Sequence, residues 1–354
     1  MTQTELKKPG RPTLEYPHGQ DVPEAGKTIR LAPGLEWVAM PLHFSLKHIN
    51  VWLIDDGDGW TIVDTGMAYD ETQAFWQKLL EARVTDDKPL KRVFITHMHP
   101  DHVGTAGWLC ENWGAELWMS RLEYITCRML VSDTGRAAPL AGIDFYKRAG
   151  WSDEQLDDYK ARFGEFGSWV TSLPDSYNRL FEGQIIEMGG QTWEVIMGSG
   201  HSPEHACLYC PALNIVITGD QLLPRISSNV SVFPTEPAAN PLLDWIESCE
   251  KLKRRLPRDV LVLPAHNEPF TGAHKKLQHL IDGHFSVLQR LKQRLAKGPA
   301  SVVELFITIF GKAIKPDEFG MATGEAIAHL NYLIYRGEVS VSLDDQGVNI
   351  YAAN

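Results

Sequence analysis

The stretch FITHMHPDHVG, residues 94–104, places three histidines and one aspartate within six positions, between a short apolar run and a glycine. Neutral imidazole and carboxylate are the usual ligands of zinc and related divalent cations, so His97-x-His99-x-Asp101-His102 reads as part of a metal site. Whether that site serves structure or chemistry depends on ligands elsewhere in the chain.

The chain before this stretch offers LEWVAMPL, INVWLIDDG and GWTIVDTG, short β-rich runs broken by Asp-Gly and Gly signals. A helix-spaced segment, ETQAFWQKLLEARV, and the strand RVFIT follow, so the order is β-β-β-α-β with the polar cluster at the last strand's end. Beyond it, HVGTAGWLCENWG reads as a helix and AELWMS as a strand. Residues 120–182 then interrupt with an aromatic-rich helical insertion, readable as a cap over a pocket or as plain core. Strands resume with QIIEM, TWEVIMG, ACLYCP and NIVITGD, and DVLVLPAH follows a helix at 242–256. The second half therefore echoes the first.

Residues 1–25 carry four prolines and no periodicity, which predicts an extended or disordered arm. Residues 26–275 form the predicted main domain, with the 120–182 insertion. Residues 276–354 form a long amphipathic helix followed by three short helices and a hairpin, a winged-helix-like order. From 298 onward that tail has seven acidic and three basic residues, and its recognition-helix candidate offers only Arg336 as a cation. Phosphate neutralisation needs more, so the tail is expected to serve packing or homodimerisation rather than nucleic-acid binding.

Composition agrees. The 354 residues, 44% apolar and 22% charged, suit a large globular domain with an appendage, and a net charge of -11 opposes polyanion binding. The absence of a long apolar run and of a signal-peptide core predicts a cytoplasmic protein that does not enter a membrane. Five scattered cysteines are expected to be reduced thiols, the Cys207-x-x-Cys210 pair included.

Further polar residues stand where apolar β runs end: Asp64 in IVDTG, His201 in GSGHSPEH, Asp220 in ITGD and His266 in LPAH. A folded sheet could gather them at one edge. Together, THMHPDH, VDTG, GSGHSPEH, ITGD and PAH resemble the five motifs of the metallo-β-lactamase fold superfamily, in order and with similar spacing. The resemblance implies an α+β fold, an αββα sandwich of two mixed sheets, with the tail as a small winged-helix-like appendage. By matching motif, His97, His99 and His201 would hold one metal and Asp101, His102 and His266 a second, with Asp220 shared by both. Asp64 would ligate nothing and would fix the metal loop by hydrogen bonds.

The implied cofactors are two divalent ions, zinc first, although the same donors accept iron or manganese. The implied reaction is attack by a metal-bridging hydroxide, with Asp101 orienting it and carrying a proton. A secreted β-lactamase is disfavoured by Asp220, where some of those enzymes place cysteine, and a flavin-coupled di-iron reductase by His99, where they place glutamate. The expected function is hydrolysis of a small or medium ester, thioester, lactone or amide. A ribonuclease or phosphodiesterase, or a sensor without turnover, stands as the alternative. His205 is expected behind the ligands, and Arg225 is a weak candidate for a substrate anion, its plainer reading being an ion pair.

Overall fold

The computed structural model describes residues 10, 12–19, 22–24 and 27–354. The first sheet takes its seven strands in chain order: β1 (Thr28–Ala32), β2 (Leu35–Pro41), β3 (His48–Asp55), β4 (Trp60–Val63), β5 (Leu90–Phe94), β6 (Glu116–Ser120) and β7 (Asn178–Leu180). Pairing is antiparallel from β1 to β4 and parallel from β4 to β7. The second sheet comprises β8 (Ile185–Met188), β9 (Gln191–Gly198), β10 (His205–Cys210), β11 (Ile215–Gly219) and β12 (Leu261–Pro264), in the spatial order β12-β11-β10-β9-β8. Only its β11–β12 pair is parallel. The short β1 and β7 are additions to the strands that the sequence pattern marks.

Side-chain alternation sorts the strands into layers. Trp37, Trp52, Trp193, Val195, Leu208 and Ile217 meet between the two sheets. The opposite face of the first sheet packs on α1 (Asp70–Glu81), α3 (Ala106–Trp113) and α4 (Arg121–Ser132) through Trp76, Leu80, Leu109 and Cys127. The opposite face of the second sheet, with Cys207 and Val216, packs on α7 (Pro241–Arg255) and α8 (Ala273–Leu295) through Trp245, Leu252, Leu277 and Ile281. Four layers result, helix on sheet on sheet on helix, which is the expected αββα sandwich.

The sequence HVGTAGWLCENWG, expected as one helix, folds as two, α2 (Pro100–Val103) and α3. They part at Gly104, where a Cβ would lie 2.5 Å from the Pro100 carbonyl oxygen and 2.6 Å from that of Gly66. Only glycine allows the metal loop to pass so close to the turn that follows β4. The insertion supplies α4, α5 (Leu140–Arg148) and α6 (Asp153–Arg162), the last started by a Ser152–Gln155 capping box. Its aromatics turn toward one another and toward the tail. Tyr146 lies 4.3 Å from Trp151 and 4.7 Å from Tyr159 between ring centroids, and Trp151 Nε1 donates to Thr323 Oγ1 at 2.9 Å.

The tail runs α9 (Val302–Phe310), a 3-10 turn at Pro316–Glu318, α10 (Phe319–Tyr335) and a hairpin of β13 (Val339–Leu343) and β14 (Asn349–Ala353). The middle helix of the expected trio is therefore only that turn. Ser301 and Glu304 form the capping box that starts α9, and Gly311 ends it in the left-handed region. Leu305, Leu330 and Tyr351 share one buried cluster with Val216, Val262 and Trp245 of the main body. The arm expected to be extended or disordered is extended and docked where it is described: Glu15 and Thr271 exchange backbone hydrogen bonds, and Leu14 and Tyr16 pack on that same cluster. The remainder of 1–25 lies outside the described residues.

Candidate metal centre

Strand direction explains why distant residues meet. β4 and β5 run parallel, as do β9, β11 and β12 by their pairings, so the residues that follow all five strands emerge at one edge of the sandwich. Backbone bonds bring the two sheets together there, Ala206 N donating to Thr96 O at 2.8 Å and Asn50 N to Ala265 O at 2.7 Å, while Ala265 N donates to Gly219 O at 3.0 Å as a continuation of the β11–β12 pair. All seven residues expected as ligands lie at this edge. The potential ligand atoms of His97, His99, His201 and Asp220 lie within 4.8 Å of one another, and so do those of Asp101, His102 and His266.

Asp220 stands between the two groups. Its Oδ2 is 3.3 Å from His201 Nε2, while its Oδ1 is 3.6 Å from His102 Nε2 and 3.5 Å from His266 Nε2. Asp101 Oδ2 lies 3.2 Å from His266 Nε2.

The outward nitrogens are tied down. His201 Nδ1 is 2.7 Å from the Asn229 carbonyl oxygen, His102 Nδ1 is 2.8 Å from Asp64 Oδ2, and His266 Nδ1 is 3.2 Å from the His48 carbonyl oxygen. With those nitrogens donating, each Nε2 turns a lone pair inward. His102 Nε2, His201 Nε2 and Asp220 Oδ1 are buried with no hydrogen-bond partner. An orphaned buried polar atom costs about 1–3 kcal/mol, and three that converge on one space fit divalent cations. His97 Nε2 and His99 Nδ1 lie 2.9 Å apart, a spacing that a shared proton or a common cation satisfies.

The electrostatics favour the same occupant. Burial and the surrounding imidazoles push His97 well below the ordinary histidine range and His99 down to about 3, so both rings are neutral donors. Burial opposes charge on His102, but the carboxylates of Asp64, Asp101 and Asp220 outweigh it and push its pKa well above that range, a field that favours positive charge at this ring, which a cation at Nε2 would supply in place of the proton. Asp220 is likewise held ionised, burial being overcome by His266 and His102.

Asp64 occupies the place expected of it. Its Oδ1 accepts from Thr96 N and its Oδ2 from Thr96 Oγ1, both at 2.8 Å, and its backbone adopts φ 59°. His205 is fully buried, and its Nε2 accepts from the Asp220 amide at 3.1 Å, which occupies the nitrogen a leaving-group acid would need. Gly219 makes this approach possible: a Cβ there would lie 2.7 Å from His205 and 2.8 Å from Thr96 Oγ1, at φ +49°.

Arg225 requires a correction. Its guanidinium forms a two-point ion pair with Glu268, at 2.8 and 3.0 Å, and covers the Tyr16 ring at 4.9 Å. Those contacts occupy it, so the ion-pair reading replaces that of a substrate anion site. The cysteines are all free and buried, and Cys207 and Cys210 face opposite sides of β10. They form neither a disulfide nor a zinc pair.

Several supporting residues carry no motif. Glu123 on α4 is fully buried and joins the two ligand loops: its Oε2 accepts from Met98 N at 2.9 Å and its Oε1 from Glu204 N at 2.7 Å. Asn50 Nδ2 donates to the carbonyl oxygens of Pro264 and Asn267, at 2.8 and 2.6 Å, and so fixes the His266 loop. Ser228 Oγ donates to the Asp220 carbonyl.

Residues 45–266 match the family model described as the metallo-beta-lactamase superfamily, and residues 288–354 match the model of a metallo-beta-lactamase-like C-terminal domain. The chain belongs to the metallo-β-lactamase superfamily. A beta-lactamase domain protein from Burkholderia ambifaria has a solved structure with 38% identity and a TM-score of 0.87, covering 96% of this chain and 98% of that one.

Among curated relatives, a linear primary-alkylsulfatase from a Pseudomonas strain is 26% identical over 63% of this chain and 42% of its own length. An atrochrysone carboxyl ACP thioesterase from Emericella nidulans is 24% identical over 65% of this chain and 55% of its own length. A hydroxyacylglutathione hydrolase from Haemophilus influenzae is 27% identical over 49% and 64%. The match thus spans about half the length of these relatives.

Proposed function

We propose that the chain is a two-metal hydrolase of carboxylic esters and thioesters whose acyl part is apolar. The observation that carries this reading is Asp220, whose two carboxylate oxygens face two separate sets of imidazoles. Divalent cations bound there, zinc first, would supply an activated water at neutral pH and polarise the scissile carbonyl. His97, His99 and His201 would hold one ion, Asp101, His102 and His266 the other, and Asp220 both. The Asp101 side chain is 15% exposed, so it is placed to take up a proton and deliver it to the leaving group.

Apolar groups rim this edge. Tyr69, raised by burial and by the nearby charge of Asp101, packs on His43 at 4.5 Å; Phe44 and Trp169 stand exposed on the same side. The Ala68 amide donates to the Trp169 carbonyl at 3.2 Å and the Thr171 amide to the Gly104 carbonyl at 2.7 Å, which holds this part of the insertion against the turn after β4 and against the metal loop. Ile226 and Phe233 are exposed on the segment that follows Asp220. Rings and aliphatic side chains of this kind suit an acyl or aryl group better than a phosphate backbone.

Thioester cleavage is what the names of the Emericella and Haemophilus relatives describe, which supports the thioester arm. The metal-loaded protein should be offered acyl-thioesters, aryl esters, a lactone, an alkyl sulfate, a phosphodiester and a β-lactam. Thioesters and esters with apolar acyl groups should be turned over best, and Asp220→Ala should lose more than about 100-fold in kcat. Turnover confined to the phosphodiester or the alkyl sulfate would contradict the substrate class.

A further inference from the structure

The tail reaches the candidate centre through one segment, residues 229–232, that continues from Asp220. Asn229 Nδ2 donates to Glu325 Oε2 at 3.0 Å, and Val232 N donates to the Gly324 carbonyl at 3.1 Å. Ser231 Oγ donates to Asn229 Oδ1 and approaches the Met321 carbonyl at 3.4 Å. At Gly324 a Cβ would lie 2.7 Å from both Cβ and Oγ of Ser231 and 2.9 Å from the Val232 carbonyl oxygen. Close approach between α10 and the segment, rather than backbone conformation, therefore requires glycine there. The same Asn229 presents its carbonyl oxygen to His201 Nδ1 at 2.7 Å.

We infer that α10 is a working part of the metal centre: by clamping the Asn229 side chain, Glu325 sets the carbonyl that orients His201. The inference rests on the metal reading above. The bond from Nδ1–H to a carbonyl decides both the tautomer of a ligating imidazole and its ring direction. A carbonyl in a loop that is free to rotate would orient the ring weakly. Here the Asn229 amide is gripped at both ends, its nitrogen by Glu325 and its oxygen by Ser231. The grip continues inward, since His329 Nδ1 donates to the Glu325 carbonyl at 2.8 Å and its Nε2 lies 3.2 Å from His284 Nδ1 on α8. Glu325 is thus a positioning residue, three bonds removed from a metal, on a helix that no ligand motif includes.

Zinc affinity, measured by competition with a chromogenic chelator, tests this directly, together with the visible spectrum of the Co2+-loaded protein. Glu325→Ala and Asn229→Ala should each weaken the tighter ion by about 10-fold and shift the Co2+ bands. The double variant should be no weaker than either single one, because the two residues act in series. Glu325→Gln, which keeps an acceptor oxygen toward Asn229, should restore both affinity and spectrum. Wild-type affinity and spectrum in Glu325→Ala, or additive losses in the double variant, would overturn the inference. Should Glu325→Ala not fold, Asn229→Ala decides alone, and unchanged affinity there overturns it. A wild-type chain that binds no zinc would sink the metal reading itself, a result distinct from either.

Discussion

Glu123 shows how much of the centre depends on side chains outside the ligand set. The carboxylate is fully buried, burial pushes its pKa up, and it takes one amide from each of the two ligand loops. Removing it leaves the Met98 and Glu204 amides without their acceptor, a loss of about 1–3 kcal/mol each if they stay buried. Glu123→Ala should therefore lower metal affinity and thermal stability together, and Glu123→Gln, whose amide can accept from only one of the two N–H groups, should fall between Ala and wild type; a chelator titration alongside a melt checks this. Gly219→Ala sets a steric limit instead. Its Cβ would meet His205 and Thr96 at a positive φ, so turnover should fall at least about 10-fold with little change in helix content.

Residues of this supporting kind were not legible in the sequence. Glu123 sits in RLEYITC, an ordinary amphipathic turn, and its burial comes only from packing α4 beneath two distant loops. The ligands were legible because each carries a polar donor directly after an apolar strand, a pattern that packing alone does not require. Arg225 misled for the opposite reason. Its place after Asp220 suggested the site, but Glu268, which directly follows the His266 loop, claims its charge.

At the scale of elements, the contact between α8 and α10 carries a buried histidine pair with a defined pH signature. Burial, with the neighbouring ring, pushes His284 down to about 3, and burial pushes His329 down to about 4. Both rings are neutral in the folded chain and titrate near 6.5 when unfolded. Their contribution is therefore complete above about pH 6.5 and is lost as pH falls toward 4, because the unfolded chain binds protons that the folded one refuses.

The loss should be on the order of 2 kcal/mol per histidine by about pH 4.5. Glu325 has the opposite sign: burial raises it to about 7, so its contribution is present below its unfolded value and disappears as pH rises through 7. Denaturant melts of metal-loaded protein between about pH 4.5 and 6.5 should show a shallower slope for His284→Leu than for wild type. An unchanged slope would mean that the pair does not titrate as described.

Elements were also where sequence reading was most uneven. Helices with strong periodicity, such as α1 and α7, stood out, and so did the long strands β2, β3 and β9. The three-residue β7 and the break between α2 and α3 did not, since both are set by tertiary contacts: pairing with β6, and the passage of Gly104 over Gly66. The aromatics of the insertion had two readings, and most proved to be packing between α5, α6 and α10. Trp169 and Phe181 remain exposed, and the Trp169 carbonyl accepts from the Ala68 amide in the turn after β4.

Across the whole molecule, the candidate ligands come from both sheets, so cations bound there would join the two halves of the sandwich. Chelation should lower the melting temperature, and the difference should grow with free metal concentration, as binding to the folded state alone requires; about 4 kcal/mol is expected at a thousandfold excess over Kd. The central claim is that Asp220 is shared between two ions in the active protein. Metal content per chain by mass spectrometry, paired with turnover, tests it most directly. The account predicts two metals in active wild type, and at most one in Asp220→Ala with turnover nearly abolished. A fully active wild type with a single metal, or an Asp220→Ala chain that keeps two metals and full turnover, would contradict it.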